Sequence, residues 1–347
     1  MRTFKVGLLY FREEFGRQLL HRLNHLEPIR DIHGSPVKIL AEHLEVHEWD
    51  LDSVLEHDFI LDRASHYFKL GIPQFMMRSF LGTHIVNNPL SFQWFIERKD
   101  VGYYMAHHLG IKIPPTFILP VCDTPFFKKD DFTYHRLFEW EKMIEKVGFP
   151  CIMKPANGRG ARGVYQCSNR RELMEAYSLS GSEIMTIQAK VHSPYPWQLR
   201  CLCIGRNIRI IKYIFREGDR SEYLPDQDFL APAVEKQVRE ACMIINRIFG
   251  YEMNSVEFFL DSNDIPWAID FNNPIPDGRL EALGQQWYDI YLQDMLQLVI
   301  EKAKNPEPSH FLPNLNDYAE IARMPLSQSE KFAKALALSQ QYYEKTY

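Results

Sequence analysis

No stretch of this sequence approaches the ~20 consecutive apolar residues that a membrane-spanning helix needs, and the opening "MRTFKVGLLYF" breaks at once into the polar "REEFGR". A secretory leader is therefore not expected, and a cytoplasmic chain is. Dense Lys/Arg blocks are missing as well. With 40 basic against 45 acidic residues and a formal charge of −5, there is no nucleic-acid footprint and no polybasic patch for a membrane surface. Cysteine is sparse and scattered: six residues, none at metal-ligand spacing. Cys201 and Cys203, in "RCLCIG", fall on one face of a strand and read as reduced core thiols. No serine sits in a G-x-S-x-G context, which removes support for a hydrolase triad. "HLEVH" offers His43 and His47 at helical spacing, but Leu44 stands where a zincin helix carries Glu. Internal repeats and low-complexity tracts are absent.

What the chain does have is core material. Apolar residues make up 46% and aromatics 13% of 347 residues, enough for two or three lobes and too much for disorder. "FKVGLLYF" reads as a buried strand and "REEFGRQLLHRLNHL" as an amphipathic helix. With strand ends at "FILDRASHYF" and "GTHIVNN", an α/β domain is expected over 1–95. "FQWFIERKDVGYYMAHHLG" predicts a helix with Gly110 as its C-cap, followed by a strand interrupted at Pro114–Pro115. Beyond an irregular connector come helix, strand, glycine loop and strand, another helix, then three antiparallel strand candidates in "EIMTIQAKV", "QLRCLCIG" and "NIRIIKYIF". A helix over "APAVEKQVREACMIINRIFG" leads to a final strand pair. The expected organisation is a central lobe over 96–187, a C-terminal lobe over 188–305 and a helical tail over 306–347.

Two places carry chemistry. In "CIMKPANGRGARGVYQC", Gly158, Gly160 and Gly163 free the backbone for positive φ and close approach to a ligand, and Lys154 at the base can neutralise a phosphate. The closing lysine and hydroxyl of a P-loop are missing, as is a dinucleotide fingerprint. In "NSVEFFLDSNDIPWAIDFNNP", strand alternation puts Val256, Phe258 and Leu260 on one face, and Trp267, Ile269 and Phe271 on the matching face of the second strand. Glu257, Asp270 and Asn272 then project together from the other side. A simple register sets Glu257 across from Asp270, a like-charge pair that a cation between them would offset. The alternative reading is a hairpin with a solvated acidic face.

Together and in order, these segments, from about Asn87 to Pro276, resemble the ATP-grasp superfamily. That resemblance implies an α/β fold with an N-terminal domain and two lobes clasping ATP. Lys99 in "IERKDVGYY" matches the first phosphate lysine and Lys154 the second, with Gly158, Gly160 and Gly163 in the mobile loop. Gln188, the Lys190 backbone and Val191 match the hinge strand around adenine. Gln198 falls at the ribose position, and Arg200 and Lys212 at positions facing the phosphates. Glu257, Asp270 and Asn272 map onto the ligands of Mg²⁺, one ion or two, with Mn²⁺ as an alternative. This sequence departs from the family pattern in three ways: Asp270 replaces the usual Glu, neutral Gln198 replaces an acid, and "IPDGR" replaces a small turn.

The pattern is most similar to the glutathione-synthetase-like and ribosomal-protein-glutamate-ligase-like carboxylate–amine ligases. Such a relation implies an acyl-phosphate route to an amide, with Lys154 and Arg200 as catalytic cations and small carboxylates and amines, amino acids or a peptide, as substrates. A homodimer is left open, and nucleic acid and membrane are not expected as partners. Arg63 and His66 in "LDRASHYF", and Arg279 in "PDGR", are candidates for a substrate carboxylate. The rival readings are an ATP-dependent kinase and a non-catalytic nucleotide-binding regulatory protein.

Overall fold

The computed structural model describes residues 1–11, 13–45, 47–48, 50, 56–65, 72–91, 94–95, 98–123, 139–157, 163–216, 221–306 and 315–347. The first sheet follows from parallel pairing. Strand β1 (Arg2–Leu9) lies between β3 (Pro36–His43) and β4 (Phe59–Asp62), both parallel to it, and β5 (His84–Val86) continues the parallel run beside β4. A short β2 (Ile29–Arg30) closes the other edge antiparallel to β3. Parallel neighbours need crossovers, which α1 (Glu14–Asn24) and α2 (Ile72–Phe80) provide. Phe15, Leu19 and Leu23 recur every four residues and bury one stripe of α1.

Strand β3 was not legible as a strand. Val37, Ile39 and Ala41 alternate inward, but Leu40, 47% exposed, sits among the outward residues and blurs the period. His43 ends this strand rather than riding a helix, so the helical spacing of His43 and His47 does not exist.

The second sheet has the order β6–β9–β7–β8 and is antiparallel throughout: β6 (Thr116–Leu119), β7 (Cys151–Pro155), β8 (Tyr165–Cys167) and β9 (Met185–Ala189). It follows the short α3 (Pro89–Ser91) and α4 (Lys99–His108), and carries α5 (Trp140–Val147) and α6 (Arg170–Ser178). Asn169 caps α6, its side chain accepting from the Glu172 N–H. The chain leaves α4 through Leu109, with Gly110 just beyond at φ 84°. A Cβ at that glycine would lie 2.3 Å from the Gln328 carbonyl oxygen, so glycine is required twice over.

The third sheet, β12–β11–β10–β13–β14, holds β10 (Gln198–Ile204), β11 (Asn207–Ile214), β12 (Glu222–Tyr223), β13 (Met253–Leu260) and β14 (Pro266–Asn273). One face packs on α7 (Pro232–Phe249), joining Ile244, Ile245 and Ile248 to Leu199, Val256 and Phe258. The other packs on α8 (Leu280–Lys304), whose Tyr291, Leu292 and Met295 also meet Phe15 and Leu19 of the N-terminal unit. Helix α8 is thus apolar on several sides and shows no single stripe in the sequence. Helices α9 (Asn316–Arg323) and α10 (Gln328–Thr346) complete the chain, with α10 started by a capping box between Ser327 and Glu330. Among the described residues, no helix is long and apolar enough to cross a membrane.

Candidate functional site

Three strands of the third sheet set one row of charge. Arg200 on β10 stands directly opposite Glu257 on β13, which stands directly opposite Asp270 on β14. Facing carboxylates repel, and cations offset them here. The Arg200 guanidinium pairs with Glu257 Oε1 at 3.1 Å, and Lys99 Nζ pairs with Asp270 Oδ2 at 2.9 Å. Gln198 Nε2 adds a hydrogen bond to Glu257 Oε2 at 2.8 Å. The expected register between Glu257 and Asp270 is the one observed.

Strict alternation along β14 is not observed. Glu257 pairs with Asp270 while the next residue, Phe258, pairs with Ala268, so Ile269 is an extra residue, a β-bulge. A second irregularity lies between Ser255 and Glu257. Ala268 and Phe271 therefore fill the core, in place of the expected trio of Trp267, Ile269 and Phe271. The bulge has a chemical use. Ile269 presents its carbonyl to Tyr103 Oη, which donates to it at 2.6 Å, and to Lys154 Nζ, which donates at 3.0 Å.

Lys154 comes from β7, facing the same side as Ile152 and its β9 partners Thr186 and Gln188. Its ammonium also donates to Tyr103 Oη at 2.7 Å and to Gln188 Oε1 at 3.0 Å, so all three protons have acceptors. Gln188 is fixed in turn by its amide, which donates to Thr116 Oγ1 at 2.9 Å. Tyr103 was not singled out by the sequence reading, yet a signal existed: it lies four residues after Lys99, on the same helical face.

The electrostatics follow from burial. It pushes Lys154 down to about 8, with Lys99 adding to the effect against the pull of Asp270. Burial, with Asp270 nearby, raises Glu257 above the usual carboxylate range despite Arg200. For Asp270 burial acts upward too, but Lys99 and Lys154 together hold its carboxyl below that range. Among the described residues, two buried atoms in this cluster lack hydrogen-bond partners: Arg200 Nε and Asn272 Oδ1. The Asn272 amide nitrogen donates to the Phe95 carbonyl at 2.6 Å, which fixes which end of the side chain is left over. Two carboxylates in register and a spare amide oxygen form an all-oxygen donor set that suits a hard divalent cation.

The remaining expected residues are placed as follows. Gly163 stands at φ 70° where the chain enters β8. Gly158, Gly160, Arg159, Arg162 and His66 lie outside the described residues. The Lys99 N–H donates to the Ala156 carbonyl at 3.1 Å, tying the start of α4 to the foot of the glycine loop. Lys190 is exposed and its ammonium donates to Gln166 at 2.8 Å, and Val191 is half-buried.

Three expectations are corrected. Lys212 does not share a face with Arg200: it pairs with Leu199, one residue out of phase, lies over the rings of Trp197 and Phe229, and bonds Asp226 at 2.7 Å. Arg63 is not available to a substrate carboxylate. Its side chain is 2% exposed, forks onto Glu13, donates to Tyr291 Oη at 2.7 Å and lies over Phe15. Arg279 forks onto its neighbour Asp277 instead of reaching the cluster.

No protein-family model matches the chain. Among curated proteins, it is 20% identical over 241 residues to the formate-dependent phosphoribosylglycinamide formyltransferase of Shewanella frigidimarina, covering 66% of this chain and 57% of that one. The chain thus spans little more than half the length of this relative. Among solved structures, it resembles the D-alanine–D-alanine ligase of Bacillus anthracis complexed with ATP, with a TM-score of 0.57 at 16% identity, covering 87% of this chain and 97% of that one. A RimK domain ATP-grasp protein of Sphaerobacter thermophilus gives 0.56 at 14% identity, over 85% and 98% of the two chains. The macrocyclase MdnC of Microcystis aeruginosa, bound with its precursor peptide MdnA, gives 0.57 at 11%, over 86% and 99%. The three sheets therefore belong to one known architecture: this chain has the ATP-grasp fold.

Proposed function

We propose that the protein is an ATP- and Mg²⁺-dependent ligase that joins a carboxylate to an amine through an acyl phosphate, releasing ADP and phosphate. The observation that carries this reading is the row Arg200–Glu257–Asp270 with Lys99 and Lys154 beside it and the Asn272 oxygen left without a partner.

In the first step a substrate carboxylate oxygen attacks the γ-phosphorus of ATP and the bond to the β-phosphate oxygen breaks, leaving ADP. In the second an amine attacks the acyl carbon, phosphate leaves with the C–O electron pair, and the amine loses a proton. Glu257, Asp270 and Asn272 would hold Mg²⁺, which supplies positive charge to the phosphate oxygens when bound. Lys99 and Lys154 then turn from their present acceptors toward the nucleotide, and Arg200 balances charge at the reacting acyl group. The glycine loop between β7 and β8 is assigned to covering the phosphates, where excluding water protects the acyl phosphate from hydrolysis. Gln188, Lys190 and Val191 are assigned to the adenine. The contact of Gln198 with Glu257 favours a part in orienting that carboxylate over a part at the ribose. Substrates are small carboxylates and amines, with amino acids and peptides the leading classes.

Incubation with ATP, Mg²⁺, hydroxylamine and a pool of carboxylic acids tests the reading. Hydroxamate formation that depends on ATP supports a ligase. A stable phosphorylated product in its place assigns the protein as a kinase, and ATP affinity without turnover as a regulatory protein.

A further inference from the structure

The oxygen donors of the charge row suit a divalent cation, but its charges are out of balance. Glu257 and Asp270 bring two carboxylates, and three cations stand against them: Arg200, Lys99 and Lys154. Each carboxylate oxygen already takes a donor. Arg200 and Gln198 hold the two oxygens of Glu257 at 3.1 and 2.8 Å, Lys99 Nζ holds Asp270 Oδ2 at 2.9 Å, and the Asn272 N–H reaches Asp270 Oδ1 at 3.3 Å. Lys154 is the surplus. Its ammonium donates to Tyr103 Oη, Gln188 Oε1 and the Ile269 carbonyl, all of them neutral, and among the described residues no carboxylate pairs with it.

Water and salt do little to soften the imbalance. The side chains of Arg200 and Glu257 are 15% exposed and that of Lys99 13%, and partly buried charges are screened far less than surface ones. A lone divalent ion in the row would meet three cations with two carboxylates to hold it. Its nearest competitor is Lys99, whose ammonium stands on the very Asp270 oxygen that such an ion would take. The negative charge that is missing is what a triphosphate carries, and Mg²⁺ is commonly held by carboxylates and substrate phosphates together. Lys99 is placed to make the exchange. Its backbone N–H is tied to the Ala156 carbonyl at 3.1 Å, at the foot of the glycine loop, so its flexible stem can swing while the backbone stays put.

We infer that the row admits a divalent cation only together with a nucleoside triphosphate, and that the Lys99 ammonium is the bar to the free ion. It stays on Asp270 until the phosphates draw it off, and the oxygen it leaves becomes a metal ligand. The exchange moves no electron pair and no proton. Nucleotide alone meets the surplus charge of Lys154 and binds; metal alone does not. This inference rests on the nucleotide site proposed above.

Equilibrium dialysis of the full chain against Mn²⁺, alone and with a non-hydrolysable ATP analogue, tests it by the metal retained. The parent should retain Mn²⁺ with the analogue and none above background without it. Lys99→Met keeps the stem and drops the charge, and should retain at least about tenfold more Mn²⁺ alone than the parent does. Lys99→Arg should stay as closed as the parent, and adding Asp270→Asn to Lys99→Met should abolish the gain. With metal removed by a chelator, isothermal titration should still show saturable binding of the analogue to the parent. The inference is overturned if the parent retains Mn²⁺ as well without the analogue as with it, a result that needs no variant to fold. It is overturned equally if Lys99→Met, folded by circular dichroism, retains no more Mn²⁺ than the parent. Mn²⁺ retained with the analogue but no hydroxamate formed sinks the ligase reading and leaves this one standing; hydroxamate formed by a parent that holds free Mn²⁺ does the reverse.

Discussion

Two glutamates five positions apart, Glu252 just ahead of β13 and Glu257 within it, keep only 11% and 15% of their side chains exposed and meet opposite fates. Glu252 is saturated. It bonds the His84 ring, Lys302 Nζ at 2.6 Å and Tyr347 Oη at 2.9 Å, and its own N–H donates to Asn87 at 2.8 Å. Burial acts to raise its carboxyl, but His84 and Lys302 outweigh that and hold it well below the ordinary range. Glu257 also has partners, yet burial leaves it above that range, with two orphaned polar atoms nearby. The first cluster ties β5 and the residue ahead of β13 to α8 and to Tyr347 beyond α10, and among the described residues it leaves His84 Nδ1 without a partner. The second has its charges offset but leaves Arg200 Nε and Asn272 Oδ1 without partners among the described residues. A carboxylate that its cations hold below the ordinary range serves the fold, and one that burial leaves above it, beside a spare amide oxygen, is placed to meet a ligand.

Substitutions should split the two clusters cleanly. Asp270→Asn should cut hydroxamate formation by about a hundredfold to a thousandfold while leaving the denaturant midpoint nearly where it was; undiminished turnover would remove Asp270 from the metal site. Glu252→Gln should act the other way. It strands Lys302 and His84 and should cost ~3 kcal/mol in chemical denaturation, with kcat/KM per folded molecule unchanged. A variant as stable as the parent would show that the cluster holds nothing.

Acid distinguishes the clusters next. The Glu252 carboxyl sits lower in the folded chain than its ordinary value of 4.5, so the unfolded chain takes up the proton first. Its contribution to stability is therefore full above about pH 4.5 and is lost as pH falls below it. Denaturation midpoints measured from pH 6 down to pH 3 should fall in the parent and flatten in Glu252→Gln; parallel curves would contradict this. The smallest effect expected is that of Tyr103→Phe. It removes one acceptor from Lys154 and the donor to Ile269, and should raise KM for ATP about fivefold, near 1 kcal/mol, with a smaller change in kcat. Equal changes in the two constants would point to general damage instead.

Much of the charge row could be read from sequence because strand parity is local. Glu257 and Asp270 follow from two apolar faces and a short turn. The same parity also places Lys212. Gly205 and Arg206 close a tight turn that pairs Ile204 with Asn207, so counting back sets Arg200 against Ile211 and puts Lys212 out of phase. Other features had no local trace. Arg63 finds Glu13 fifty residues back and Tyr291 well over two hundred residues on, and no window of sequence shows such a meeting. Helix α8 hid because two sheets cover it, which erases the one-sided stripe that marks a surface helix.

The extra residue at Ile269 has a consequence for how this strand can vary. Because Ile269 is the extra residue, dropping it would leave Asp270 opposite Glu257 and Ala268 opposite Phe258, and the charge row would keep its register. It would withdraw instead the carbonyl on which Tyr103 and Lys154 converge. A single-codon deletion at that point should therefore be more damaging than most replacements of the Ile269 side chain, because the backbone, and not the side chain, is the part in use.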